Sequence, residues 1–286
     1  LSQELPIWEA APEFLNIFSN LGITFLRNCL TKIRFDENIL EFSDGLKLDY
    51  EFLILCTGSS SNNFAVKGVD ENCYFFNNLN DLNKLKVVLK KIHTDKIKKN
   101  LFIVGAGPSG IEIACKVHDI YNSKFQVNIV ESSNEILSKN KVFNREEAEK
   151  ALKSRKISVY LNSTVKEISG HKIFILHDSE TKALDQDVVI WTAGVKPNLP
   201  KIDNKVTQIN GRILVNDKFQ IDNFLNTFAI GDISIIKGME DLAMTAQVAM
   251  QQGNHLAKNL ELLFQEKDLL PFEFQDNGEM ISLGIG

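Results

Sequence analysis

Apolar and polar positions along this chain fall into blocks whose period switches between two and about 3.6. Over Leu1 to Asn20, apolar Trp8, Ala11, Leu15 and Phe18 recur at three- and four-residue steps and predict a helix. Strand-like pieces follow at Thr24 to Arg27, Thr31 to Phe35 and Ile39 to Phe42, ahead of a turn at Asp44-Gly45. Phe52 to Cys56 is a compact apolar run stopped by Thr57-Gly58, the pattern of a fully buried parallel strand. Ser59 to Asn63 reads as loop and Asp81 to Ile97 as a charged amphipathic helix. Leu101 to Val104, Gly105 to Gly110 and Ile111 to Tyr121 predict strand, glycine turn and helix. Gln126 to Val130 and Ser158 to Leu161 predict strands around a helix at Arg145 to Arg155. Val165 to Leu176 reads as a meander, and Val188 to Trp191 as a strand running into Thr192-Ala193-Gly194. Asn226 to Ile230 is one more strand, closed by Gly231-Asp232, before a long helix at Ala243 to Phe264. Strand and helix in alternation argue for an α/β fold with a parallel sheet wound by helices.

Composition narrows the function classes. A length of 286 residues suits two domains, or one inserted in another. The net charge of -5 and the scattered lysines give no reason to expect a nucleic-acid partner. No apolar run approaches the roughly 18 to 20 residues that cross a bilayer. Cys29, Cys56, Cys73 and Cys115 form no CxxC pair, so neither a dithiol redox centre nor a zinc cluster is expected, and their scatter fits reduced, mostly buried thiols. The five histidines show no metal-ligand spacing. The chain starts on Leu1 and stops on Gly286 without an obvious helix end, and is expected to be an internal fragment.

GAGPSG at Gly105 to Gly110 carries the strongest chemical signal. It follows an apolar strand and opens a helix, the setting a dinucleotide fingerprint requires. Gly105 permits the tight turn, Gly107 lets backbone approach a pyrophosphate, and Gly110 lets helix and strand pack closely, with Pro108 counted beside them as cofactor-binding. The helix N-terminus presents N–H groups and partial positive charge to phosphates. The next strand ends in Glu131, where a carboxylate meets the adenosine ribose and repels a 2′-phosphate. Ser132 and Ser133 follow with no arginine, which favours NADH; Lys139, Lys141 and Arg145 downstream keep NADPH open.

A strand ending in Gly231-Asp232 is by itself only a turn. Together with Cys56-Thr57-Gly58 and the fingerprint between them, it resembles the two-dinucleotide flavoproteins related to glutathione reductase. WTAGVKPN at Trp191 to Asn198, TAQVAMQQG at Thr245 to Gly253 and FEFQDNGEMISLG at Phe272 to Gly284 are similar to type II NADH:quinone oxidoreductases of the cyanobacterial and plastid branch, as is LSQELPIWEAAPEF at the start.

That resemblance implies two Rossmann-like dinucleotide-binding domains, an NAD domain inserted in an FAD domain that is incomplete here. The expected division is residues 1–80 for FAD, 81–205 for NAD and 206–286 for the FAD return segment. It implies FAD and NADH as cofactors, a quinone as acceptor, and flavin contacts at Thr57, Gly58, Gly231, Asp232 and Ala246, with Ala193 and Gly194 beside the nucleotide. Gln247 and Gln251, about 40° apart on a helix, are implied at the quinone side, although solvated glutamines on a helix face have the same pattern. Glu112 is implied at the nicotinamide pocket; a carboxylate in a first helical turn is also what the helix dipole favours. The branch implies peripheral attachment to a membrane surface through a missing C-terminal segment, on the cytoplasmic or stromal and thylakoid-facing side, with a homodimer as a candidate assembly. A soluble NAD(P)H-dependent flavoprotein reductase with a protein or other small acceptor, and a non-catalytic NADH sensor, stay open as alternatives.

Overall fold

A computed structural model describes residues 6–93, 97–121, 124–202 and 205–285. The chain divides into two compact units, Leu1–Ile17 with Ser61–Val195 and Gly278–Gly286, and Phe18–Ser60 with Lys196–Asn277. It changes unit after Ile17, Ser60, Val195 and Asn277, whereas the sequence suggested divisions after residues 80 and 205.

In the first unit five parallel strands lie in the order Cys73–Phe75, Val188–Trp191, Lys99–Val104, Phe125–Val130, Ser158–Tyr160. The central strands are mostly apolar, Val188–Trp191 throughout and Lys99–Val104 from Leu101 onward, because both faces are covered, and successive side chains go to opposite sides. Leu101, Ile103, Val127, Ile129, Val188 and Ile190 pack under three helices, Leu79–His93, Pro108–Tyr121 and Val142–Ser154. Their alternate neighbours Phe102, Val104, Val130, Val189 and Trp191 pack on an antiparallel meander of Ser163–Ser169, Lys172–His177 and Glu180–Asp185. Each fully buried side chain of this kind contributes about 1.5 to 3 kcal/mol. The period-two alternation thus builds two cores from one set of strands.

In the second unit Leu53–Leu55 runs parallel to Phe224–Ala229 in a six-stranded sheet, beside a three-stranded antiparallel sheet of Leu30–Arg34, Ile39–Phe42 and Lys47–Asp49. Phe219, Phe228, Phe272 and Leu256 fill its core. The last helix spans Ala246–Phe264 and starts where Thr245 caps it, its side-chain oxygen accepting from Val248 N at 3.3 Å.

Several expectations are corrected. Thr24 to Arg27 is not a strand. Leu53–Leu55 is an end strand of its sheet with Ile54 40% exposed, so the apolar run at Phe52 to Cys56 is not buried on both faces. Ser59–Ser61 is a short strand rather than loop, and the meander has a third strand, Glu180–Asp185, that its polar composition concealed. Cys29 and Cys56 are exposed, against the expectation of mostly buried thiols. The start of the first expected helix, residues 1–5, and residues 94–96 of the Asp81 to Ile97 helix lie outside the described residues. Among the described residues no helix is long and apolar enough to cross a membrane.

Candidate functional site

The C-terminal ends of the first unit's central strands open into a cleft of about 660 Å³. Strand Lys99–Val104 ends at Gly105, whose φ of +104° only glycine adopts without strain. The helix begins at Pro108, a position where a missing N–H costs nothing. A Cβ added at Gly110 would stand 2.0 Å from the Gly105 carbonyl oxygen, so the helix reaches the turn only because that residue is glycine. A Cβ at Gly107 would meet nothing within 4 Å, which leaves the backbone there open to a ligand.

Glu131 stands at the end of the neighbouring strand and ties this turn together. Its Oε2 accepts from Ala106 N at 2.7 Å, and its Oε1 accepts from Ser133 N at 2.8 Å and Ser132 Oγ at 3.1 Å. Burial pushes the carboxyl up, but the Ala106 and Ser133 donors outweigh it and hold the group below its ordinary value. On the other side of the turn, Thr192 Oγ1 donates to Val104 O at 2.9 Å, and Thr192, Ala193 and Gly194 line the cleft. A carboxylate and an open glycine backbone on one cleft, with a 14-residue helix starting directly after Gly107, fit the ribose and pyrophosphate of NADH. Lys139, Lys141 and Arg145 are not among its walls, and the Arg145 guanidinium is taken by Glu135.

Glu112, also on this helix, does not line the cleft. Its Oε1 accepts from Ser282 N at 2.9 Å, securing the returning segment of the same unit. Two more carboxylates act alike. Glu279 accepts from Lys141 N and Asn144 Nδ2, both at 3.0 Å, and Asp119 Oδ2 accepts from Ile285 N at 3.2 Å. The Arg155 guanidinium grips Asp119 through both oxygens at 2.7 and 2.8 Å and holds that carboxyl far below the usual range.

The second unit has its own cradle. Its two parallel strands end at Thr57-Gly58 and Gly231-Asp232, in register at Leu55 and Ala229. Thr57 Oγ1 donates to Asn198 O at 2.5 Å, and Asn198 N to Gly58 O at 2.9 Å. A cavity of about 360 Å³ is walled by Cys56, Gly58, Gly231, Asp232, Thr245 and Ala246. Asp232 Oδ2 accepts from Ser59 Oγ at 2.5 Å. An acceptor carboxylate and the amide end of a 19-residue helix on one cavity fit a hydroxylated, phosphate-bearing chain such as part of a flavin dinucleotide.

The two glutamines singled out in the sequence are engaged. Gln251 Nε2 donates to Gln275 O at 2.8 Å and its Oε1 accepts from Gln275 N at 3.0 Å; Gln247 Oε1 accepts from Asn277 N at 3.4 Å. Sequence reasoning missed Gln252. It is 2% exposed, and its Oε1 accepts from Gly231 N at 2.6 Å, fixing the turn that carries Asp232. The available signal was the doubled glutamine, since adjacent helical residues point about 100° apart and two polar neighbours cannot share one face. Ser59 was missed because a serine-rich stretch reads as loop.

The family model of the pyridine nucleotide-disulphide oxidoreductases matches residues 5–253. The demethylphylloquinone reductase NdbB of Synechocystis is 30% identical over 293 residues, covering 99% of this chain and 72% of that protein. The chloroplastic and mitochondrial alternative NAD(P)H-ubiquinone oxidoreductase C1 of Arabidopsis thaliana is 28% identical over 320 residues, covering 99% of this chain. The chain spans 62% of that relative's length. The NDH2 of Plasmodium falciparum in complex with NADH shares the fold, with a TM-score of 0.80 at 18% identity over 91% of this chain and 74% of that one. The chain belongs to the pyridine nucleotide-disulphide oxidoreductase family, on the branch of these cyanobacterial and plant relatives.

Proposed function

We propose that the protein carrying this chain is an FAD-dependent NADH:quinone oxidoreductase that does not pump protons. The observation that carries the donor half is the Glu131 carboxylate fixed beside an open glycine turn in one cleft. The quinone as acceptor draws its support from the names of the relatives, an ubiquinone oxidoreductase and a demethylphylloquinone reductase.

When bound, FAD supplies the chemistry of accepting a hydride and releasing two electrons. The residues of this chain bind and orient. Glu131 accepts from ribose hydroxyls, the Gly105 to Gly110 turn and its helix receive the pyrophosphate, and Ala193 and Gly194 line the far side. Asp232 accepts from hydroxyls of the flavin side chain, while Gly58 and the start of the Ala246 helix border it. Gln252 holds the Gly231 amide, so Asp232 is presented without backbone adjustment. Gln247 and Gln251 hold residues 275–277 against the helix and act on the acceptor side through that segment. Glu112 acts by securing the returning segment to the fingerprint helix. NADH is preferred to NADPH because Glu131 remains a carboxylate and Arg145 is already paired. Attachment to a membrane surface at the cytoplasmic or stromal side, and a homodimer, complete the proposal.

Mixing the intact protein with NADH and a water-soluble quinone tests the reading. NADH oxidation that depends on the quinone supports it. Oxidation that needs a protein acceptor instead would replace it.

A further inference from the structure

Phe64 stands at the lip of the nucleotide cleft and has no part in the fingerprint. It is 59% exposed, yet its position is heavily determined. Phe64 and Ala65 both take left-handed backbone, with φ of +49° and +54°, which non-glycine residues adopt only when their surroundings impose it. The impositions are visible. Asn62 Oδ1 accepts from Phe64 N at 3.0 Å and Asn63 Oδ1 from Ala65 N at 3.1 Å, while Asn63 Nδ2 donates to Asp70 at 2.8 Å. Trp191 Nε1 donates to Asn62 O at 2.8 Å, and Asn62 N to Gly194 O at 3.2 Å. The ring lies over Gly194 so closely that a Cβ there would stand 2.7 Å from Phe64 Cζ. Strain held by this many bonds, in order to expose an aromatic ring at a cleft, points to a ligand.

The order of strands says which part of the ligand. Val188–Trp191, Lys99–Val104 and Phe125–Val130 are adjacent and parallel, so their ends form a row of Gly194, Gly105 and Glu131. With the adenosine ribose at Glu131 and the pyrophosphate at the glycine turn, the second nucleotide of the ligand falls at Gly194 and Phe64.

We infer that the Phe64 ring is a wall of the nicotinamide pocket, a positioning residue against which the nicotinamide ring packs. The inference rests on the reading of the cleft as an NADH site. An aromatic face suits this ring in both states and attracts it more when it is the cationic oxidised form.

Calorimetric titration of the intact oxidised protein with NAD⁺ and with ADP-ribose, which lacks the nicotinamide, tests it. Phe64→Leu should weaken NAD⁺ binding about three- to tenfold and leave ADP-ribose within about twofold, which also certifies that the variant is folded; the range follows the energies of aromatic pairs. Phe64→Tyr should restore NAD⁺ affinity. Equal losses for both ligands, or no loss for either, would overturn the assignment. A wild-type protein that binds neither ligand would overturn the nucleotide reading itself and this inference with it.

Discussion

Replacing Glu131 by Gln perturbs a ribose contact and the glycine turn together, and the structure sets the size of the effect. The carboxylate presently accepts from two backbone amides, one on each oxygen, and from the Ser132 hydroxyl. An amide in its place keeps one acceptor oxygen and turns an NH₂ toward the other backbone N–H. One charge-assisted bond is lost, worth about 1.5 to 3 kcal/mol, and a donor is left facing a donor. That bond lies within the protein and its loss lowers stability. The ribose loses a charged acceptor as well, a bond of similar size, so at about 1.4 kcal/mol per factor of ten NADH affinity should fall by about ten- to a hundredfold. The loss exceeds that of a ribose contact alone because the glycine turn loosens at Ala106. Discrimination against NADPH should narrow, since repulsion of the 2′-phosphate is removed. The assay is binding of both nucleotides to wild type and variant at fixed ionic strength. Unchanged NADH affinity together with unchanged discrimination would refute the reasoning.

Other outcomes follow from single contacts. Gly110→Ala puts a carbon 2.0 Å from the Gly105 carbonyl and should abolish measurable NADH binding, read by titration. Gln252→Leu leaves the Gly231 amide without its acceptor at a cost of about 1 to 3 kcal/mol, and should lower bound FAD per protein in the visible spectrum while NAD⁺ affinity stays unchanged. Gln251→Ala releases both bonds to Gln275 and should slow reoxidation by quinone about tenfold or more without slowing flavin bleaching by NADH, which stopped-flow spectroscopy separates. Asp119 has a carboxyl depressed by Arg155, so its stabilising contribution is complete above the unfolded value of about 3.9 and is lost as pH falls through the lower native value. The stability gap between wild type and Asp119→Asn, measured by denaturant titration, should therefore be constant near neutrality and shrink below about pH 4.

The legible parts of this protein are those encoded locally. Gly105 to Gly110 announces itself because a tight turn, a close approach and a helix start each demand a residue type at a fixed spacing. Glu131 is legible because the strand before it is short and apolar and ends where its neighbour turns. The partners of these residues are not. Gln251 and Gln247 stand on the face that the helical period indicates, but their amides bond to Gln275 and Asn277, contacts set by how the later chain returns. Glu112 behaves likewise with Ser282. Ile54 reads as core because apolarity does not say whether a strand has one neighbour or two. Phe64 gives no signal at all, since two left-handed residues in a polar stretch arise from hydrogen bonds that are local in space and invisible in composition.

We propose that one protein takes hydride from NADH at the Glu131 cleft and delivers electrons to a quinone by way of FAD. Double-mixing stopped-flow spectroscopy under anaerobic conditions measures this directly: the intact protein is mixed first with one equivalent of NADH and then with a water-soluble quinone. The expected result is flavin bleaching after the first mixing, followed by full recovery of the oxidised spectrum at a rate that rises with quinone concentration. A flavin that NADH does not bleach, or a reduced flavin that quinone leaves bleached, would contradict it.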